Sequence, residues 1–343
     1  MTRKYLAAAA ASVMALGLGW SALAQTAGSG SWPHANGGAV APPCDRACMT
    51  GLVDQYTAAL VKHDPSGLPL NRDVRFTENT AVLKIGKEGL WLGASEVPTT
   101  FKIYVVDLAS GQVGFYGVMK EWDRPLIIAL RLKVVNGQIT EIEQVLARNL
   151  RGDAALKNLV TPRPEFGEDV KPVDQTPRQQ MVNDADSYFD AIEHASGKLA
   201  PFADTCVRHE NGGQTTGNKT AQPWPVPLGS KAADDAMAYI GTLNCSDQFD
   251  THIMDFITRL WPRRETVVDE QKGLVFAFPM FQQPGNPGAF KVYHVPGVTE
   301  MPLGKSASNL QAGELFKIEH GQIMSIEAMG AQLPYGTKSG WGE

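Results

Sequence analysis

Apolar residues recur at helical spacing twice in this chain. Leu52, Val53, Tyr56, Ala59 and Leu60 mark one amphipathic helix, which stops near His63-Asp64-Pro65 because proline cannot continue it. Met181, Ala185, Tyr188, Phe189 and Ile192 mark a second, stopping near Ser196-Gly197. Strand-like runs follow each helix. Val105-Val106-Asp107 and Val267-Val268-Asp269 end strands, and a glycine four residues after each aspartate starts the return strand of a hairpin. Residues 115–118 and 127–135 continue the first sheet. Gly137 and Gly321 turn the chain into last strands over 139–146 and 323–329.

The two series share their landmarks. Val74-Arg75 with Glu78-Asn79 returns as Val207-Arg208 with Glu210-Asn211. Gly137-Gln138-Ile139 with Ile142-Glu143 returns as Gly321-Gln322-Ile323 with Ile326-Glu327. Such a repeat predicts two versions of one α+β unit, each an antiparallel sheet with helices on one face. The expected divisions are a first domain over 44–160, a proline-rich linker over 161–178, and a second domain over 179–343. Extra chain after Arg208 and after Gly273 makes the second version the longer one, with added loops where specificity usually resides.

Composition adds the compartment. Arg3 and Lys4 precede a short apolar stretch and an Ala22-Leu23-Ala24 cleavage pattern, so residues 1–24 read as a secretory signal and 25–43 as a flexible start to the mature chain. The expected location is periplasmic or extracellular. The formal net charge is −5, and losing residues 1–24 removes two positive charges and no acids. An acidic, unclustered surface argues against nucleic acid and anionic membrane as partners. Four cysteines in an exported chain suggest disulfides, with three connectivities open. Cys206 and Cys245 lie in the same half and are paired here; Cys44 and Cys48 can pair locally if the first helical turn is irregular. No spacing of cysteine and histidine suggests a metal, and no glycine-rich loop suggests a nucleotide, so no cofactor is expected.

A long first helix, a sheet, and a last strand entered through Asn136-Gly137-Gln138-Ile139-Thr140-Glu141-Ile142-Glu143 resemble the nuclear-transport-factor-2-like (SnoaL-like) superfamily, with residues 320–327 as the weaker second match. The Cys44-Asp45-Arg46-Ala47-Cys48 start and the Leu333-Pro334-Tyr335-Gly336 tail resemble a secreted, two-copy branch of it. That resemblance implies two tandem domains, each a curved antiparallel sheet packed against helices around a cone-shaped cavity. It also implies either cofactor-free isomerase, cyclase or lyase chemistry on a small hydrophobic or aromatic molecule, or non-catalytic binding of one. Monomer and homodimer both stay open.

Candidate chemistry gathers in the second half. On a strand, Arg208 and Glu210 face one side while His209 and Asn211 face the other, so the cavity receives either a cation–acid pair or an imidazole. His209 is the expected base, Arg259 the anion stabiliser, and Tyr335 or His294 the orienting donor. Trp261 offers a stacking face, with Arg208, Glu210 and His252 as further ligand-binding candidates. Asp107 and Asp269 are read as turn formers. Arg263 and Arg264 are expected to pair with Glu265 on a solvated face.

Overall fold

The computed structural model describes residues 44–150, 152–222, 227–286 and 288–342. The expected signal over 1–24 and the flexible start over 25–43 lie outside these residues. The architecture is α+β, with two curled sheets and few helices. Helix α1 (Arg46–Lys62) is capped by the Asp45 side chain on the Cys48 amide and closed by His63 in the left-handed conformation. The first sheet comprises β1 (Leu70–Glu78), β2 (Ala81–Val82), β3 (Ala94–Glu96), β4 (Lys102–Asp107), β5 (Gln112–Glu121), β6 (Arg124–Val135) and β7 (Gln138–Ala147).

A short helix α2 (Asp153–Asn158) precedes α3 (Arg178–Glu193), the second long helix. Then come β8 (Phe202–Glu210), β9 (Gly213–Gln214), α4 (Lys231–Ile240), α5 (Cys245–Phe249), β10 (Arg259–Leu260), β11 (Glu265–Asp269), β12 (Leu274–Ala277) and β13 (Met280–Gln283). A β14 (Phe290–Lys291) and β15 (Glu300–Met301) hairpin stands apart, and β16 (Ser308–Glu319) with β17 (Gln322–Pro334) completes the second sheet.

Both sheets have the same wiring. The first runs β2-β1-β7-β6-β5, with β3 and β4 on β5; the second runs β9-β8-β17-β16, with β12 and β13 on β16. The expectation of purely antiparallel sheets is corrected at one place in each. The first strand pairs parallel with the last, β1 with β7 and β8 with β17. Hairpins account for the antiparallel neighbours, whereas β1 reaches β7 only after the whole meander has passed.

One core lies under each long helix: Tyr56, Trp91 and Phe115 in the first, Tyr188, Phe189 and Phe316 in the second. A third core joins the sheets' other faces, where Tyr116 meets Phe276 and its hydroxyl donates to the Ala328 carbonyl at 3.0 Å. Glycine is needed there, since a Cβ on Gly114 would stand 2.5 Å from the Phe276 ring. The described residues accordingly belong to one compact unit.

Two ion pairs cross between the halves reciprocally. Arg46, at the start of α1, grips Asp269 with two bonds of 2.7 Å, and Arg178, at the start of α3, grips Asp107. Asp269 also accepts the Val106 amide and Asp107 the Val268 amide. Both aspartates do hold their turns, through Ser110 and Lys272, but a turn role alone understates them.

The segment read as a proline-rich linker is packed against the second sheet. Phe166 is buried, and Arg163 bonds to Glu327 and to the Val207 and Ile326 carbonyls. Cys44–Cys48 and Cys206–Cys245 are both disulfides, compatible with export. Among the described residues no helix is long and apolar enough to cross a membrane.

Candidate functional site

The alternation of β8 is resolved by which face meets α3. Arg208 and Glu210 point to the helix side, while His209 points to the core between the sheets. Arg208 is 1% exposed. Its guanidinium reaches the Gln248 side chain, Thr215 Oγ1 at 3.2 Å, the Tyr188 hydroxyl at 3.4 Å and Glu210 Oε1 at 2.9 Å, and lies over the Phe249 ring. A buried cation tolerates this position only because its donors are so fully engaged. The Cys206–Cys245 bond ties β8 to α5, the helix that presents Gln248 and Phe249.

Glu314 stands on the same face. Ala328 pairs with Glu210 on one side and Glu314 on the other, so the three share one row across β8, β17 and β16. Glu314 is 3% exposed, and its Oε2 has no hydrogen-bond partner. Burial pushes its carboxyl well above the usual range, the Glu210 charge adds to this, and Arg208 opposes it. Burial therefore favours the protonated form of Glu314. Burial likewise raises the Tyr188 hydroxyl, which stays neutral.

The first half shows this face without the arginine and the second acid. By the same register, Phe76 stands where Arg208 does, Leu130 where Glu314 does, and Gln144 where Ala328 does. There the Tyr56 hydroxyl donates to Gln144 at 2.9 Å, and Gln144 donates to Glu78 at 2.8 Å. Glu78 also takes the Leu90 amide and Arg148. That network is closed. The second half replaces two apolar residues by an arginine and a glutamic acid and leaves one acid oxygen unmatched.

The other candidates fall elsewhere. His209 is buried, 3.5 Å from Glu327, and desolvation with the Arg163 charge drops its imidazole to about 3. The contact with Glu327 is therefore not an ion pair. Burial raises Glu327 to about 7 against the opposing Arg163. Arg259, Trp261 and Tyr335 are exposed and line a groove of about 300 Å³, which His209 does not line. His252 bonds Asp255 and stacks near Tyr293, and His294 is exposed.

Arg263 and Arg264 do not pair with Glu265. Arg263 holds Asp186, Asp190 and Glu193 of α3, and Arg264 makes two bonds of 2.7 Å to Glu143 of the first half. Asp190, Glu193 and His194 come close enough to share a metal ion. The two carboxylates are already committed to Arg263, and Glu193 also to the Leu260 amide, so the set is an ion-pair network.

Glu314, Tyr188 and Gln248 were missed by reading the sequence. The signal for Glu314 was present: it is the one acid in the alternating series Leu310, Ala312, Glu314, Phe316. A family model described as a domain of unknown function (DUF8021) matches residues 174–330, which take in α3 and most of the second sheet. Among curated proteins no match to the chain is found.

Proposed function

We propose that the chain is a secreted, cofactor-independent acid–base enzyme built from two tandem nuclear-transport-factor-2-like domains, with its chemistry on the inner face of the second. The repeated strand order, the helix across each sheet and the curl of the sheets support the fold reading. One observation carries the functional reading: a buried Glu314 with an unmatched oxygen, beside Tyr188 and Arg208, where the first half has leucine and phenylalanine.

A carboxylic acid kept neutral by burial can donate a hydrogen bond to a developing oxyanion, and a tyrosine hydroxyl can do the same. Tyr188 accepts from Arg208, which leaves its own proton to give. Glu210 is the group that meets solvent, with its side chain 37% exposed and its carboxylate on Arg208. In this scheme a small hydrophobic carbonyl compound enters beside Glu210. Glu210 removes the proton next to the carbonyl, and Glu314 and Tyr188 stabilise the enolate oxygen. Reprotonation at a neighbouring carbon gives an isomer, and loss of a β-substituent gives a lyase product. His209 has no part in this: it lies on the other face, and an imidazole titrating near 3 is a poor base.

Binding without turnover is the second reading, and the near-complete burial of Arg208 and Gln248 favours it. Hydrogen–deuterium exchange at the α-carbon of a panel of hydrophobic ketones, followed by NMR, separates the two. Exchange that the wild-type protein catalyses and that Glu210→Gln loses at least a hundredfold supports the enzyme. Ligand binding without exchange leaves the carrier, and exchange untouched by Glu210→Gln or by Glu314→Leu removes the site.

A further inference from the structure

Outside the helix–sheet interior, Arg259 and Trp261 form a shared wall between two adjoining grooves. One, between α3 and the β10–β11 segment, holds about 500 Å³ and is also lined by Asp186 and Glu265. The other, against the tail after β17, holds about 300 Å³ and is also lined by Asn309 and Tyr335. These volumes suit small molecules. We propose that this paired groove binds a planar aromatic monocarboxylate, its ring stacked on Trp261 and its carboxylate on Arg259.

The arginine is the first reason. The Arg259 guanidinium lies 5.7 Å from the centre of the Trp261 ring, and among the described residues no carboxylate is within ion-pair distance of it. Arg263, four residues on and in the same groove, is by contrast surrounded by three carboxylates. A guanidinium held over an indole and lacking a counter-ion offers a forked donor to an incoming carboxylate.

The tryptophan is the second. Trp261 is 44% exposed, although so large an apolar ring normally seeks cover. A flat aromatic ligand would cover it without rearrangement of the chain.

The acids fix the charge of the ligand. Glu193, Asp186 and Glu265 border the larger groove, so a dianion such as a phosphate monoester would meet repulsion that a single carboxylate avoids. Glu265 keeps one buried oxygen, Oε1, without a partner. Burial, with Asp186 adding and Arg263 and Arg264 opposing, raises its carboxyl to about 7, so at mildly acidic pH it is a donor rather than a second negative charge.

Calorimetric titration of the full chain at pH 6 with 2-naphthoate, 2-naphthamide and cyclohexanecarboxylate tests this. The naphthoate should bind at least tenfold more tightly than either comparator. Arg259→Gln, a change at an exposed side chain, should bring the naphthoate down to the affinity of the amide. Trp261→Leu should weaken it while leaving the cyclohexane acid unchanged. No binding of naphthoate at about 1 mM, the level at which even weak specific sites register, overturns the proposal. So does an Arg259→Gln protein that binds naphthoate as the wild type does, or an amide that binds as well as the acid.

Discussion

Replacing Glu314 by leucine, the residue that the first half carries at the matching position, should stabilise the protein. Glu314 sits 3% exposed with one oxygen unmatched, and leaving a buried polar group unsatisfied costs roughly 1–3 kcal/mol. Arg208 does not lose its counter-charge in the variant, because Glu210 remains at 2.9 Å and Gln248, Thr215 and Tyr188 still accept from it. The gain should grow with pH. A carboxyl whose folded value is raised keeps a proton that the unfolded chain releases above its ordinary 4.5. The pH-dependent part of its burden on stability is therefore absent below that value. It increases by about 1.4 kcal/mol for each pH unit until the folded group itself ionises. Urea unfolding at pH 4.5, 6 and 7.5 reads this directly. Glu314→Leu should already exceed the wild type by roughly 1–3 kcal/mol at the lowest pH, from the unmatched oxygen alone, and its lead should widen as pH rises. A lead that does not widen with pH, or a variant less stable at pH 7.5, would show that Glu314 is not a buried neutral acid. The same variant should lose any ketone exchange activity, since it removes a proposed oxyanion donor.

Two further substitutions probe the scaffold. Asp269→Asn keeps the shape of the side chain but removes the charge that Arg46 grips; allowing for the partly exposed arginine, it should cost about 2–3 kcal/mol by urea unfolding, and Asp107→Asn should cost a similar amount. Desolvation raises Asp107, but Arg178, Ser110 and the Val268 amide together hold it below its ordinary value, so its share of stability is full above about pH 4 and fades as pH falls further. Cys206→Ser with Cys245→Ser opens a bridge between residues 39 apart and should cost roughly 3–4 kcal/mol. Because α5 carries Gln248, amide exchange should rise there first.

The long helices, the hairpin turns and the repeat were legible because each leaves a local period or a glycine at a required turn. The parallel pairing of β1 with β7 and of β8 with β17 was not, since alternation reports which face a residue takes but not which strand lies beside it. The same limit applied to Arg208, His209 and Glu210: their separation onto two faces was readable, and the choice of inner face depended on where α3 packs. Arg263 and Arg264 were assigned to Glu265 because it adjoins them in sequence, yet they reach α3 and Glu143. Asp107 and Asp269 announced their turns but gave no hint of partners across the molecule. Glu314 is visible as an acid in an apolar series, but alternation along one strand does not show that Glu210 lies in the same row two strands away.

The exchanged grips of Arg46 on Asp269 and Arg178 on Asp107 have a bearing on stoichiometry. In a dimer of identical chains every substitution appears twice, so a buried Arg208 or Glu314 would burden both copies at once. Joining the two partners in one chain frees each from the other's sequence. One half can keep an apolar interior and carry the stability, while its companion bears a buried arginine and an acid with one oxygen unmatched. A protein organised this way should take up one interior ligand per chain, not two.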